Sequence, residues 1–266
     1  MAEGQKLRRI PLIALPGTSP RRGEEAVLEA RLTAFGLLGR GALDLRLHML
    51  EAAGSLERWK VRMGIEADAV SRRTDALVAE QDRRHALDVV VRHDSMMIIP
   101  ELGLGGACYE QSALTIAVAP GSETFERSVG EGAFGMILAH ELHHALRHAA
   151  CGYGATLGEA VVSEGLADRF AMEVTGCRTP IWARVDDLSD AVIERAAGML
   201  DRDDYDHADW FFGGDGLPRW SGYALGRLVV DAYLTAHEGE TAASLVSKPA
   251  SAILAAYWPA RRPSVG

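Results

Sequence analysis

The chain has 266 residues, 48% hydrophobic and 24% charged, enough to bury a sizeable core in one large domain or two modest ones. Its formal net charge of −9 removes the attraction that drives non-specific binding to a phosphate backbone, so no nucleic-acid partner is expected. No stretch approaches the roughly 18 apolar residues of a membrane span, and Cys108, Cys151 and Cys177 are too widely spaced for a thiolate zinc site and fit a reducing compartment better than a disulfide framework.

At the start, MAEGQKLRRIPLIALPGTSP places basic residues before IPLIALP, but that apolar run is short for a signal-peptide core and Pro11 and Pro16 interrupt it. A cytoplasmic location without membrane attachment is the expectation. From about Glu24 to Ala86 apolar residues recur at helical spacing with charges between them, in VLEARLTAFGLLGRGALDLRLHML and ERWKVRMGIEADAVSRRTDALVAEQDRR. Residues 1–86 therefore read as an N-terminal helical region without concentrated chemistry, its Arg-rich face solvated and Trp59 and Met63 packing inward. Residues 87–266 read as the domain that carries the chemistry.

The periodicity changes at LDVVVRHD, residues 87–94, which predicts a strand, and ALTIAVAP, residues 113–120, predicts a second. Between them GLGGA is not a phosphate loop, because it runs into a strand and not into a helix; close approach of another backbone explains its glycines better. The strand at 113–119 is a candidate sheet edge along which an extended peptide substrate can add. After Gly121 the pattern is helical. Helices, a small sheet and further helices make an α+β fold, without alternating βαβ units.

Residues 139–148, AHELHHALRH, satisfy H-E-x-x-H. On a helix His140 and His144 lie roughly 40° apart on one face, so two imidazoles can reach one metal ion. Glu141 lies about 60° round from His144, placed to take a proton from a metal-activated water without itself binding the ion. His143 points about 60° from His140, away from the side of Glu141, and reads as a packing residue; His148, one turn further along, reads as a partner of the helix C-terminus.

A catalytic zinc keeps three protein ligands and an open position, so a third ligand is needed. TLGEAVVSEGLADRFAMEVTG contains one. Thr156 followed by Glu159 is a capping box that starts a helix, and Gly176 stops it. On that helix Glu164 and Asp168 share a face: Glu164 can ligate while Asp168 accepts a hydrogen bond from the free nitrogen of a ligating imidazole. Glu159 and Glu173 fall on the far side and read as a cap and a solvated charge. Gly152 and Gly154 permit the reversal that brings Glu164 back towards His140 and His144. SGYALGRLVVDAYL, from Ser221, predicts another helix, and Tyr223 in its first turn is a candidate stabiliser of an oxyanion. His207, in DDYDHADW, is a weaker candidate in an acidic turn whose Asp203, Asp204, Asp206 and Asp209 could attract a cation.

HELHH, then VVSEGLADRF with Glu164 twenty residues after His144, then PRWSGYALGRLVVDAYL, together resemble a bacterial family of predicted zinc-dependent proteases of unknown function. That family belongs to the gluzincin-like metallopeptidases, in which the third ligand is a helical glutamate. The similarity runs from roughly Leu87 to Trp258, and GLGGACYEQSALTIAVAP sits where the family has a glycine-rich turn and strand. The resemblance implies a gluzincin-like core with a small sheet, one zinc ion at His140, His144 and Glu164, Glu141 as general base, Asp168 behind the ligands, and a peptide or protein substrate. Two other chemistries use the same residues. Two histidines and a carboxylate also hold Fe(II) in non-haem enzymes, and a metal that recruits a fourth ligand from His143, His148 or Cys151 would be a non-catalytic clamp.

Overall fold

A computed structural model describes residues 43–152, 154–185 and 188–258. The helical reading of residues 24–42 lies outside them.

The first element corrects the sequence reading. DLRLHML is not the end of a helix but strand β1, Asp44–Leu50, whose residues alternate between exposed and half-buried. The physical reason is its strict period of two: Leu45, Leu47 and Met49 face the core while Asp44, Arg46 and His48 face outward. Helix α1, Glu57–Leu77, follows, burying Met63, Ala67 and Val70. Trp59 packs edge-on against Phe125 with centroids 5.3 Å apart, and Arg58 and Arg62 pair with Glu126 and Glu66.

Strand β2, Ala86–His93, runs parallel to β1, so β1, α1 and β2 form a single crossover unit, which the sequence reading did not anticipate. Strands β3, Leu104–Ala107, and β4, Ala113–Val118, complete a four-stranded sheet in the order β1-β2-β4-β3. β4 is parallel to β2 and antiparallel to β3. The segment expected to be the sheet edge, residues 113–119, is therefore interior, and the GLGGA stretch supplies the edge strand. Close approach does explain its glycines: a Cβ on Gly105 would enter the Met97 carbonyl.

The helices that follow are α2, Glu123–Gly130; α3, Ala133–Cys151; α4, Leu157–Thr175; α5, Asp190–Ala197; α6, Ser221–Ala236; and α7, Ala250–Tyr257. The fold is mixed α+β. Helix α3 packs on β3 and β4 and is buried along nearly its whole length, including Ile137, Leu138 and Leu142. Its first turn is held by Glu66 of α1, whose Oε2 accepts from Gly135 N at 2.7 Å, a carboxylate at the positive end of a helix. Helix α4 opens on the Thr156–Glu159 capping box and ends at Gly176 in the left-handed conformation (φ 70°). Glu173 departs from its reading as a solvated charge: its carboxylate accepts from Ala242 N (2.8 Å) and Ala243 N (3.1 Å), tying the turn before α7 to α4.

No helix among the described residues is long and apolar enough to cross a membrane.

Candidate metal centre

Helices α3 and α4 meet in antiparallel sense, as their contacts show: His140 faces Asp168, whereas His144, one turn on, faces Ser163 and Glu164. The burial that makes α3 a core helix carries its histidines into the interior. His140, His144 and Glu164 form a group able to hold a metal ion. His140 Nε2 lies 3.1 Å from Glu164 Oε2 and 3.1 Å from His144 Nε2, and His144 Nε2 lies 3.3 Å from the same carboxylate oxygen.

That spacing can be tested against a metal. Two atoms each about 2.0–2.1 Å from a zinc ion and separated by a tetrahedral angle stand ~3.4 Å apart. The three donor atoms come close to this triangle without rearrangement. The outer ring nitrogens fix the same orientation. His140 Nδ1 is 3.0 Å from Asp168 Oδ1, so it carries the proton and donates, leaving a lone pair on Nε2. His144 Nδ1 is 3.1 Å from Ser163 Oγ, which can accept from it in the same way. Two imidazole lone pairs and a carboxylate oxygen then face one another at hydrogen-bond distance. With both Nε2 atoms unprotonated the three acceptors repel, and a proton on His140 or a metal ion among them relieves that repulsion, so the residues fit a metal.

The titration behaviour expresses the same need for positive charge. Burial works against a charged His140, yet Asp168 and Glu164 together hold its pKa well above the ordinary imidazole value. Burial likewise opposes an ionised Glu164, but His144 and His140 keep it far below the usual carboxylate range. Asp168 is fully buried; burial raises its carboxyl, while hydrogen bonds from His140 and from Trp182 Nε1, at 2.9 Å, pull the other way.

Glu141 stands outside the donor group. It is buried, and desolvation raises its pKa against the opposing pull of His140 and His144. Edge strand β3 crosses directly over it: a Cβ on Gly106 would collide with the Glu141 carboxylate. Glu141 and His140 line a cleft of about 350 Å³ together with the Met96–Ile99 turn, Gly105–Ala107, Trp182, Trp220 and Tyr223. Tyr223 sits in the first turn of α6, its ring 6.4 Å from Trp182 and 5.0 Å from Phe211.

Other histidines separate from this group. His143 is fully buried against Phe170, ring centroids 5.1 Å apart, and burial drives its pKa well down. His148 lies in the last turn of α3. His207 is more than part of a solvated turn. It keeps an exposed face but stacks on Phe211 with centroids 4.3 Å apart, and Glu164 and His144 both act on its charge. The surrounding aspartates form no metal-holding group among the described residues: Asp204 pairs with Arg202, and Asp206 accepts from Ala208 N and Asp209 N.

Sequence reasoning missed Ser163, Trp182 and Gly106. Ser163 precedes Glu164 and had a readable signal, a hydroxyl next to a ligand on a helix face. Trp182 comes from an irregular segment and has no spacing to announce it.

The profile of a protein family described as Predicted Zn-dependent protease (DUF2268) matches residues 84–255, about two thirds of the chain. No curated protein and no solved structure gives a match.

Proposed function

The chain belongs to this family of predicted zinc-dependent proteases, and from that premise we propose that it is a single-zinc hydrolase cleaving peptide bonds, a metallopeptidase of the gluzincin type. His140, His144 and Glu164 are the residues that would hold the ion. The observation that carries this reading is the convergence of three acceptors next to a buried carboxylate, Glu141, that lines one cleft with His140 but stays outside the cluster.

Zinc in such a donor set supplies Lewis acidity, polarising a carbonyl oxygen and lowering the pKa of water to about 7. The rest of the chemistry belongs to the side chains. Glu141 takes the proton of the attacking water on its carboxylate and delivers it to the departing amine nitrogen. Its raised pKa makes it a stronger base than an exposed glutamate while leaving it able to return the proton. Asp168 holds His140 in the tautomer with Nδ1 protonated. Tyr223, which lines the same cleft, is the candidate donor to the tetrahedral oxyanion.

A closed structural site takes four protein ligands, whereas the group among the described residues holds three. An Fe(II) oxygenase shares those three but has no use for a base in the position of Glu141. The deciding experiment is Glu141→Gln. The variant should retain zinc while hydrolysis of a mixed peptide pool falls roughly 10²–10⁴-fold; a fully active variant would remove the mechanism, and iron with oxygen-dependent turnover would replace it.

A further inference from the structure

The cleft beside Glu141 carries information about what enters it. Among the described residues the three most exposed large hydrophobic side chains are Met96 (90%), Tyr109 (74%) and Phe212 (60%). All three line this cleft, and they arrive from separate segments: the turn after β2, the residues after β3, and the π-helical turn Asp209–Gly213. Single exposed apolar residues need no explanation, but three converging on one opening form a patch of the kind that binding covers.

Trp220 adds a second, independent observation. It lines the same cleft with its backbone in the left-handed region (φ 71°), a conformation that a bulky residue rarely adopts and that concentrates at ligand-binding positions. Its neighbour Arg219 stacks over the Trp220 ring at 4.0 Å and pairs with Glu101 at 2.7 Å. That pairing commits the cleft's arginine to a carboxylate. Apart from the reacting groups His140 and Glu141, the lining then presents no uncompensated charge to an incoming side chain. The β3 residues in the lining, Gly105, Gly106 and Ala107, have little or no side chain and add neither charge nor bulk to it.

Resting on the peptidase reading, we propose that the cleft selects an extended peptide bearing a large apolar side chain, aromatic or long aliphatic, next to the scissile bond, with Met96, Phe212 and Trp220 as the surfaces it packs on. The volume suits one or two such side chains and not a folded domain.

The test separates binding from cleavage. Full-length zinc-loaded Glu141→Gln protein is titrated with fluorescein-labelled decapeptides identical except for a central Phe, Leu, Ala, Asp or Lys, and affinity is read by anisotropy. Phe and Leu peptides should bind about tenfold or more tightly than the other three, the worth of one buried side chain. Met96→Ala and Phe212→Ala, truncations at exposed positions whose integrity a melting curve verifies, should each shrink that ratio several-fold. Equal affinities across the series, no binding of any peptide, or an unchanged ratio in both variants would overturn the proposal. The unaltered enzyme is assayed for cleavage of the same peptides. Discriminating binding without cleavage sinks the peptidase reading and keeps the selectivity; cleavage indifferent to the central residue does the reverse.

Discussion

Gly165 and Gly226 meet backbone to backbone where α4 crosses α6: a Cβ on Gly165 would enter the Gly226 carbonyl, and one on Gly226 would enter the Val161 carbonyl. Gly165 directly follows Glu164, and Gly226 lies one turn after Tyr223, so this crossing fixes how near the helix of Tyr223 comes to the helix of Glu164. Gly226→Ala must push the helices apart. It should cost about 1–3 kcal/mol and lower the melting temperature by roughly 2–12 °C, in spite of alanine's better helix propensity. An unchanged melting curve would contradict the close crossing.

Asp168 is fully buried and accepts from both His140 Nδ1 and Trp182 Nε1. Asp168→Asn keeps the volume but removes the charge that would make His140 a stronger ligand in the proposed zinc site. Zinc affinity, measured by competition with a chelator of known strength, should fall roughly 10–100-fold. Trp182→Phe removes one donor and leaves the carboxylate, so its affinity should lie between the two. A Trp182→Phe variant weaker than Asp168→Asn would shift the supporting role from the charge to the indole.

Much of this centre was legible because its signals are local. H-E-x-x-H is a statement about helical angle, and the helix is real because α3 is apolar on nearly every face. The capping box and Gly176 mark the ends of α4 through hydrogen bonds made within a few residues. What escaped depends on tertiary partners. β1 reads as helix because it continues a helical pattern without a break; its period of two is only seven residues long, and pairing with β2 is what makes that period prevail. β3 is four residues long with two glycines, too short and too weakly β-forming to read as a strand until β4 lies beside it. Glu173 looked solvated because its partners, Ala242 N and Ala243 N, lie some seventy residues downstream.

Cys108 is buried at the end of β3, and desolvation, reinforced by Glu141, pushes its thiol up to about 12. Cys151 is exposed. With native protein at pH 8, iodoacetamide should modify Cys151 and spare Cys108, which should react only on unfolding; peptide mapping reads the difference. The stability consequence has a definite sign. Above the ordinary thiol value near 9 the unfolded chain releases a proton that folded Cys108 retains, so stability is full below pH 9 and declines as pH rises towards 12. Cys108→Ala should flatten that decline, and an equally steep loss in the variant would assign it to other groups.

Gly106 offers the sharpest separation of base from metal. β3 passes so close to Glu141 that any side chain at this position must displace the carboxylate, while the three residues that could hold a metal lie elsewhere on α3 and on α4. Gly106→Ala should therefore move the base and leave the ion. A displacement near 1 Å from productive geometry costs on the order of 10²-fold in rate, so kcat should drop by about that factor with zinc stoichiometry unchanged. Loss of zinc together with activity would mean that the strand supports the whole cluster; an unaffected kcat would show that Glu141 has room to retreat and still reach the water. A fall in kcat alone would tie the glycine-rich edge strand to the position of Glu141 as the proposed base.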